Sequence, residues 1–173
     1  MNFKNISIIL VVLIAALSRF IPHPPNFTPI IAMGLFSGFY FKNNKTLALL
    51  VPIMAMAISD IYFGFSAISI VVYFSLGLIV FIGHILPNNQ YTTSFHNILM
   101  GSLAGSITFF IVSNFGVFLI GYPKTIYGLI ACYTAAIPFF ANTVCSTLIF
   151  STVIFLCYDV IKDRIPQLNS DIA

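Results

Sequence analysis

The chain has 173 residues, of which 60% are hydrophobic and 6% are charged, and its formal net charge is +3. Soluble domains contain about 25% charged residues, so this composition excludes a soluble globular domain, and the small positive charge does not indicate a nucleic-acid partner. With a mean hydropathy of +1.05, the sequence predicts an all-α, polytopic membrane protein. A single transmembrane domain, residues 1–173, would lie in the lipid bilayer.

Six apolar segments are candidate membrane spans. The second and third are closer to roughly 20 Å than to the ~30 Å of the hydrocarbon layer, and short spans occur where helix ends face a water-filled cavity. The first also has the features of a signal peptide, a preceding lysine and small residues near its end. In chain order the predicted spans are Asn5–Ile21, Phe27–Phe41, Thr46–Ile58, Ser66–Ile85, Ile98–Ile120 and Ala135–Ile161, with a turn and a short tyrosine-rich helix at Gly121–Leu129 before the last one.

The positive charges are divided unequally between the two sides of this predicted topology. Five lysines and arginines share a side with the N-terminus and two lie on the other side. The positive-inside rule therefore places both termini in the cytoplasm, with the chain in a bacterial cytoplasmic (inner) membrane. The predicted cytoplasmic residues are Lys4, Lys42, Lys45, Lys162 and Arg164, and the predicted outer residues are Arg19 and Lys124.

Four polar clusters converge on the predicted outer side. The first, Ser18–Pro29, contains four prolines that prevent a continuous helix. An arginine at a helix end can snorkel to the lipid headgroups, whereas an aspartate cannot reach far. Alternatively, Arg19 and Asp60 neutralise each other, or each binds an oppositely charged group of a substrate. Asparagines inside apolar runs need a partner, either on a neighbouring helix or on a ligand. The predicted substrate-binding residues are Arg19, His23, Asn26, Asp60, Asn114, Tyr122, Thr125 and Asn142.

The sequence gives little support for catalysis or metal binding. It contains no HExxH, GxSxG or Walker motif. The three cysteines, Cys132, Cys145 and Cys157, lie in apolar sequence without metal-ligand spacing and are predicted to be small buried hydrophobic residues. His23 has no second histidine or cysteine at ligand spacing. We therefore predict no enzyme activity, no cofactor and no metal site.

Three stretches carry a resemblance to a known family. They are SRFIPHPPNFTPIIAMGLFSG from Ser18, Ser59–Asp60 followed by Gly64, and Ser113–Thr143. The chain resembles a family of small, uncharacterised bacterial membrane proteins described as candidate transport proteins. That family is similar in size, hydropathy and helix count to the substrate-binding S components of energy-coupling-factor transporters.

This resemblance implies an S-component-like bundle of about six helices. Such subunits bind a vitamin or a metal ion in an outward pocket, which is closed by the loops after helices one, three and five. A transmembrane energising module is their partner. The AxxxA spacing that S components commonly present to that module on helix one is absent here, since Ala15, Ala16 and Ser18 are out of register. The corresponding loops are Pro22–Asn26, Asp60–Phe65 and Gly121–Thr125.

The leading functional hypothesis is a membrane transport protein, the substrate-binding subunit for uptake of a vitamin-like small molecule or a metal ion. The alternative is a structural or assembly protein that binds another membrane protein through small-residue helix faces. Those faces are the GxxxG pair Gly34 and Gly38, and the run Gly101–Gly105. A third hypothesis is an intramembrane enzyme that uses His23 with Asp60.

Overall fold

In a computed structural model of the protein, the described residues are 17, 19–87 and 93–164, with side chains described up to Val160. This part of the chain is all-helical. Four of its helices are long and apolar enough to cross a membrane, which together with the composition indicates a membrane protein. The helices are α1 (Ile30–Tyr40), α2 (Lys45–Phe63), α3 (Ala67–Ile85), α4 (Phe95–Gly121) and α5 (Ile126–Arg164).

Polar residues and one glycine determine where these helices start and stop. The Asn44 side chain accepts a hydrogen bond from the Leu47 amide (3.1 Å) and begins α2. Gly64, at φ 92°, ends α2 in a conformation that suits glycine. Ser66 begins α3 with a capping box, and the Ser94 side chain caps α4. Each connection is therefore encoded by a local hydrogen bond or by backbone freedom.

The short helix α1 is the centre of the bundle. Every residue in it is buried except Phe36, which is half-buried, and all four other helices contact it. Its backbone touches that of α3 directly. A Cβ at Gly38 would collide with the Val80 carbonyl, and a Cβ at Gly83 would collide with the Leu35 carbonyl. Small residues permit this close approach, as is common where membrane helices pack.

The bundle has two distinct ends. Residues 19–29, the 64–66 connection and the 122–125 connection lie at one end, which we call the loop end. The 41–44 connection and the junction between α3 and α4 lie at the other, which we call the turn end, where Lys42 Nζ donates to the Leu86 carbonyl (2.5 Å). Helix α1 starts deep in the bundle. The Pro25 carbonyl, shortly before α1, accepts a hydrogen bond from Asn142, which lies about four turns from the start of α5.

The second and third predicted spans differ from the helices observed near the start of the chain. The described residues do not reproduce the six-span count, and the first predicted span, Asn5–Ile21, lies almost wholly outside them. The segment Phe27–Phe41 forms a helix only from Ile30 to Tyr40, because Pro29 has no amide hydrogen and restricts the residue before it to non-helical conformations. The predicted Thr46–Ile58 span is too short, since α2 continues to Phe63.

The end of the chain also differs from the prediction. The tyrosine-rich helix after Gly121 and the span Ala135–Ile161 form one continuous helix, α5. Pro138 lies inside it without ending it. A membrane helix tolerates an internal proline because neighbouring groups satisfy the freed carbonyl. The predicted span already contained Pro138, and the helix starts earlier than predicted, at Ile126.

Candidate functional site

An open cavity of about 370 Å³ lies inside the loop end of the bundle. Its base is the start of α1, with Thr28, Ile30 and Ile31. Its walls are mainly apolar and come from three further helices. The remaining lining residues are Arg19, His23 and Asn26 of the 19–29 segment, Met56 and Phe63 of α2, Val72 of α3 and Phe109 of α4.

A charged network forms one side of the cavity. Arg19 Nη1 donates to Asp60 Oδ1 (2.9 Å) and to Ser59 Oγ (2.6 Å), and it lies 3.0 Å from Met56 Sδ. Tyr73 of α3 donates its hydroxyl to the other carboxylate oxygen of Asp60 (3.0 Å). Ser59 in turn donates to the Met56 carbonyl (2.8 Å). The predicted contact between Arg19 and Asp60 is thus present, and α3 contributes to it.

The two charged groups of this network differ in exposure. The Asp60 side chain is 5% exposed, whereas the Arg19 side chain is 22% exposed. All the hydrogen bonds of the guanidinium within the described chain use Nη1. Because a guanidinium has five N–H donors, Nη2 and Nε retain donors that no described residue uses. Arg19 therefore has hydrogen-bonding capacity left for a ligand in the cavity.

An aromatic ring of α2 lies against the arginine, and two further rings pack on that ring. Its Cζ lies 5.9 Å from the centre of the Phe63 ring, within the range of a cation–π contact. Phe20 stacks on Phe63 at 5.3 Å and meets Tyr62 edge-on at 5.1 Å. The guanidinium is therefore held between a carboxylate and an aromatic face, which fixes its position at the cavity wall.

The segment before α1 is attached to α5. Asn142 Nδ2 donates to the Pro25 carbonyl (3.1 Å), and Ser146 Oγ donates to the Asn26 carbonyl (3.3 Å). Asn26 has φ 63°, in the left-handed region that asparagine tolerates better than most residues. Phe27 packs edge-on against Phe150 at 5.8 Å. Asn142 thus positions the segment that lines the cavity, and it is not itself a lining residue.

His23 lines the cavity and is exposed. Its Nδ1 lies 3.0 Å from the Pro24 carbonyl oxygen, so an Nδ1–H can donate to that carbonyl and leave Nε2 for another partner. Within the described ranges, no three histidine, cysteine, aspartate or glutamate side chains form a group that could hold a metal ion. The described lining residues offer a ligand hydrogen bonds, the positive charge of Arg19 and apolar contacts.

Five predicted site residues do not line the cavity. Asp60 pairs with Arg19 and Asn142 binds the Pro25 carbonyl, and the other three are Asn114, Tyr122 and Thr125. Asn114 Nδ2 donates to the Phe110 carbonyl (2.8 Å), one turn earlier in its own helix. Thr125 Oγ1 accepts from the Gly128 amide (3.1 Å) at the start of α5. Tyr122 is the residue that ends α4. The side chains of Asn114 and Thr125 bond to local backbone atoms, so fewer polar side chains converge on the cavity than the sequence suggested.

Sequence reasoning missed most of the cavity wall. Tyr73, which belongs to the charged network, could have been predicted from the sequence, because a hydroxyl inside an apolar span needs a hydrogen-bond partner. Ser59 could also have been predicted, because it directly precedes Asp60. The apolar lining residues could not have been predicted, because the sequence does not distinguish them from residues that face lipid. Those residues are Ile30, Ile31, Met56, Phe63, Val72 and Phe109.

The start of α1 adds positive potential at the base of the cavity. Pro29 precedes the helix and provides no side-chain cap. The first amides of a helix have no partner within it, and the aligned peptide dipoles give that end a partial positive charge. The base of the cavity therefore has the same sign of charge as Arg19.

Comparison with known proteins gives one match. No curated protein matches the chain, and no solved structure matches it. Residues 1–168 match the family described as "Family of unknown function (DUF6580)". Because the match covers nearly the whole sequence, the chain belongs to this family.

Proposed function

We propose that the protein is the substrate-binding subunit of a membrane uptake system and that the loop-end cavity binds its substrate. The observation that carries this proposal is Arg19, which lines the cavity with guanidinium donors that no described residue uses. A volume of about 370 Å³ lies within the usual range of ligand pockets, about 300–1,000 Å³.

The chemistry of the cavity favours an organic substrate over a metal ion. The walls are largely apolar, Phe63 and Phe109 offer flat surfaces, and polar groups lie at one side and at the base. Arg19 and the start of α1 both favour a negatively charged group. We infer a vitamin-like molecule with an apolar ring system and an acidic group.

The proposed topology has six crossings with the turn end in the cytoplasm. Asn5–Ile21 would be the first crossing, and α1 the second, shortened by the cavity above it. Lysines and arginines support this orientation. Of the basic residues in the described chain, four lie at the turn end (Lys42, Lys45, Lys162 and Arg164) and two at the loop end (Arg19 and Lys124). The cavity then opens away from the cytoplasm.

The S-component resemblance supports the proposal at two of its three loops. The segment after the first predicted span and the end of α2 both line the cavity, whereas the connection from Tyr122 to Thr125 does not. The sequence has no motif for ATP hydrolysis, so uptake requires a gradient or an energising partner module in the same membrane.

The structure gives no support to the alternative function, an assembly protein that binds through its glycine faces. These glycines already contact other helices of the same chain. A Cβ at Gly34 would meet Ile79, one at Gly101 would meet Leu86 and one at Gly105 would meet Ile31. The small-residue faces are therefore used within the bundle.

A ligand screen tests the proposal. Detergent-purified protein is heated with vitamins, nucleobases and divalent metal ions, and a substrate should stabilise it by about 2.7 kcal/mol at a hundredfold excess over Kd. Val72→Trp should fill the cavity and abolish the shift. Ile70→Trp is the matched control, because Ile70 lies on the same helix and is 75% exposed. The proposal fails if no compound stabilises the protein, or if the shift survives Val72→Trp.

A further inference from the structure

A second depression lies at the turn end, on the outer face of the bundle between α2 and α3. Its volume is about 210 Å³, and it is separate from the cavity. Its floor is formed by Ala48 and Val80, both buried, and its sides by Leu49 and Phe81, both exposed. We call this feature the α2–α3 groove.

The groove exists because α2 and α3 pack on α1 more than on each other. Of the helix pairs in substantial contact within the described chain, α2 and α3 touch least. Gly77 widens the space between them, since a Cβ built at this residue would meet no atom within 4 Å. The groove is therefore open towards the surroundings of the bundle, which for these apolar helices is the hydrocarbon of a membrane.

The groove is apolar along its length and basic at one edge. From Gly77 to His84 it follows α3 for about 10 Å. Lys45 and His84 lie at the turn-end edge, and none of the described residues that line the groove is acidic. Lys45 is exposed, and its ammonium has no hydrogen bond or ion pair to any described residue. An elongated apolar molecule with a negative head group complements this arrangement.

The neighbouring Lys42 is engaged elsewhere. Its Nζ donates to the Leu86 carbonyl (2.5 Å) and lies 5.4 Å from the centre of the Phe39 ring. Burial lowers the pKa of this lysine. Among the described residues, Lys45 is therefore the cation at the edge of the groove whose ammonium is not engaged, and His84 lies beside it as a second donor.

We propose that the α2–α3 groove binds an anionic phospholipid, with one acyl chain lying between α2 and α3 and the phosphate held by Lys45 and His84. A zwitterionic lipid offers the same acyl chain, but its own cation competes for the phosphate. Basic residues at a membrane surface favour anionic lipids. The site is independent of the loop-end cavity and of any substrate.

Native mass spectrometry of the detergent-purified protein tests this site. The added lipids are phosphatidylglycerol and phosphatidylcholine with identical chains. The wild type should retain more phosphatidylglycerol, and the double change Lys45→Gln with His84→Gln should reduce that preference by about fivefold or more. Lys124→Gln, which removes a cation at the loop end, should leave the preference unchanged. Gly77→Leu should reduce the retention of both lipids by filling the apolar part.

Four results would overturn the proposal. The wild type could show no preference for the anionic lipid, or the preference could survive the double change. Glycerol phosphate without acyl chains could compete as well as the whole lipid, which would indicate a small-anion site. Gly77→Leu could leave lipid retention unchanged and alter the oligomeric state in light scattering, which would indicate that a second copy of the chain occupies the groove.

Discussion

The two ends of the bundle are held together by different interactions. At the loop end, hydrogen bonds and one ion pair join residues 19–29 to α2 and α5 around an open cavity. At the turn end, the backbones of α1 and α3 touch at Gly38 and Gly83 and leave no space. Directional polar bonds can hold a segment at the edge of a cavity, whereas close packing removes the cavity. The proposed substrate site lies at the loop end, where the polar bonds leave an open cavity.

The largest effect should come from breaking the close packing at the turn end. Gly38→Ala places a methyl group against the Val80 carbonyl, and the backbones must separate, at a cost of about 3 kcal/mol. Gly77→Ala is the matched control, since its methyl group meets nothing and alanine favours a helix. Both are measured by unfolding in mixed detergent. Equal stability of the two variants would contradict the backbone contact.

The next largest effect should come from removing the charge that balances Arg19. Asp60→Asn leaves the guanidinium half-buried without a counter-charge, and we expect a loss of about 2 kcal/mol in the free energy of unfolding. The expected damage is local to the loop end. Hydrogen exchange should rise in residues 19–29 and remain unchanged near Gly38. Uniform exchange across both ends would show that the two regions are not held independently.

The smallest effect should distinguish two serines that are both fully buried. Ser59 accepts a hydrogen bond from Arg19, whereas the Ser106 hydroxyl has no partner among the described residues. Ser59→Ala should cost about 1 kcal/mol, and Ser106→Ala should be nearly neutral. Thermal unfolding of the two purified variants measures the difference. A larger loss for Ser106→Ala would mean that its hydroxyl has a partner after all.

The sequence indicated the pairing at the loop end as one of a few arrangements open to charges next to a membrane. Arg19 and Asp60 are separated by forty residues of mostly apolar sequence, and their ion pair is present in the structure. Asn142 was also predicted to lie near this segment, although its contact is with the Pro25 carbonyl. Scarce polar groups in an apolar chain are therefore informative about long-range contacts.

The local hydrogen bonds of two predicted site residues and the central position of α1 could not be predicted from the sequence. Asn114 and Thr125 bond to backbone atoms of their own helix, and such a side chain is identical in type and spacing to one that binds a ligand. The sequence also did not indicate that α1 lies at the centre of the bundle. A helix that is apolar on all sides is buried either in a bundle or in lipid, and only its contacts with the other helices decide between them.

The length of α1 has a consequence for transport. With 11 residues, it is about 16 Å long, roughly half the ~30 Å of the hydrocarbon layer. Under the proposed uptake function, a solute resting on the first turn of α1 would therefore lie about halfway across the insulating layer. On this proposed route, the remaining barrier would be only one short helix thick.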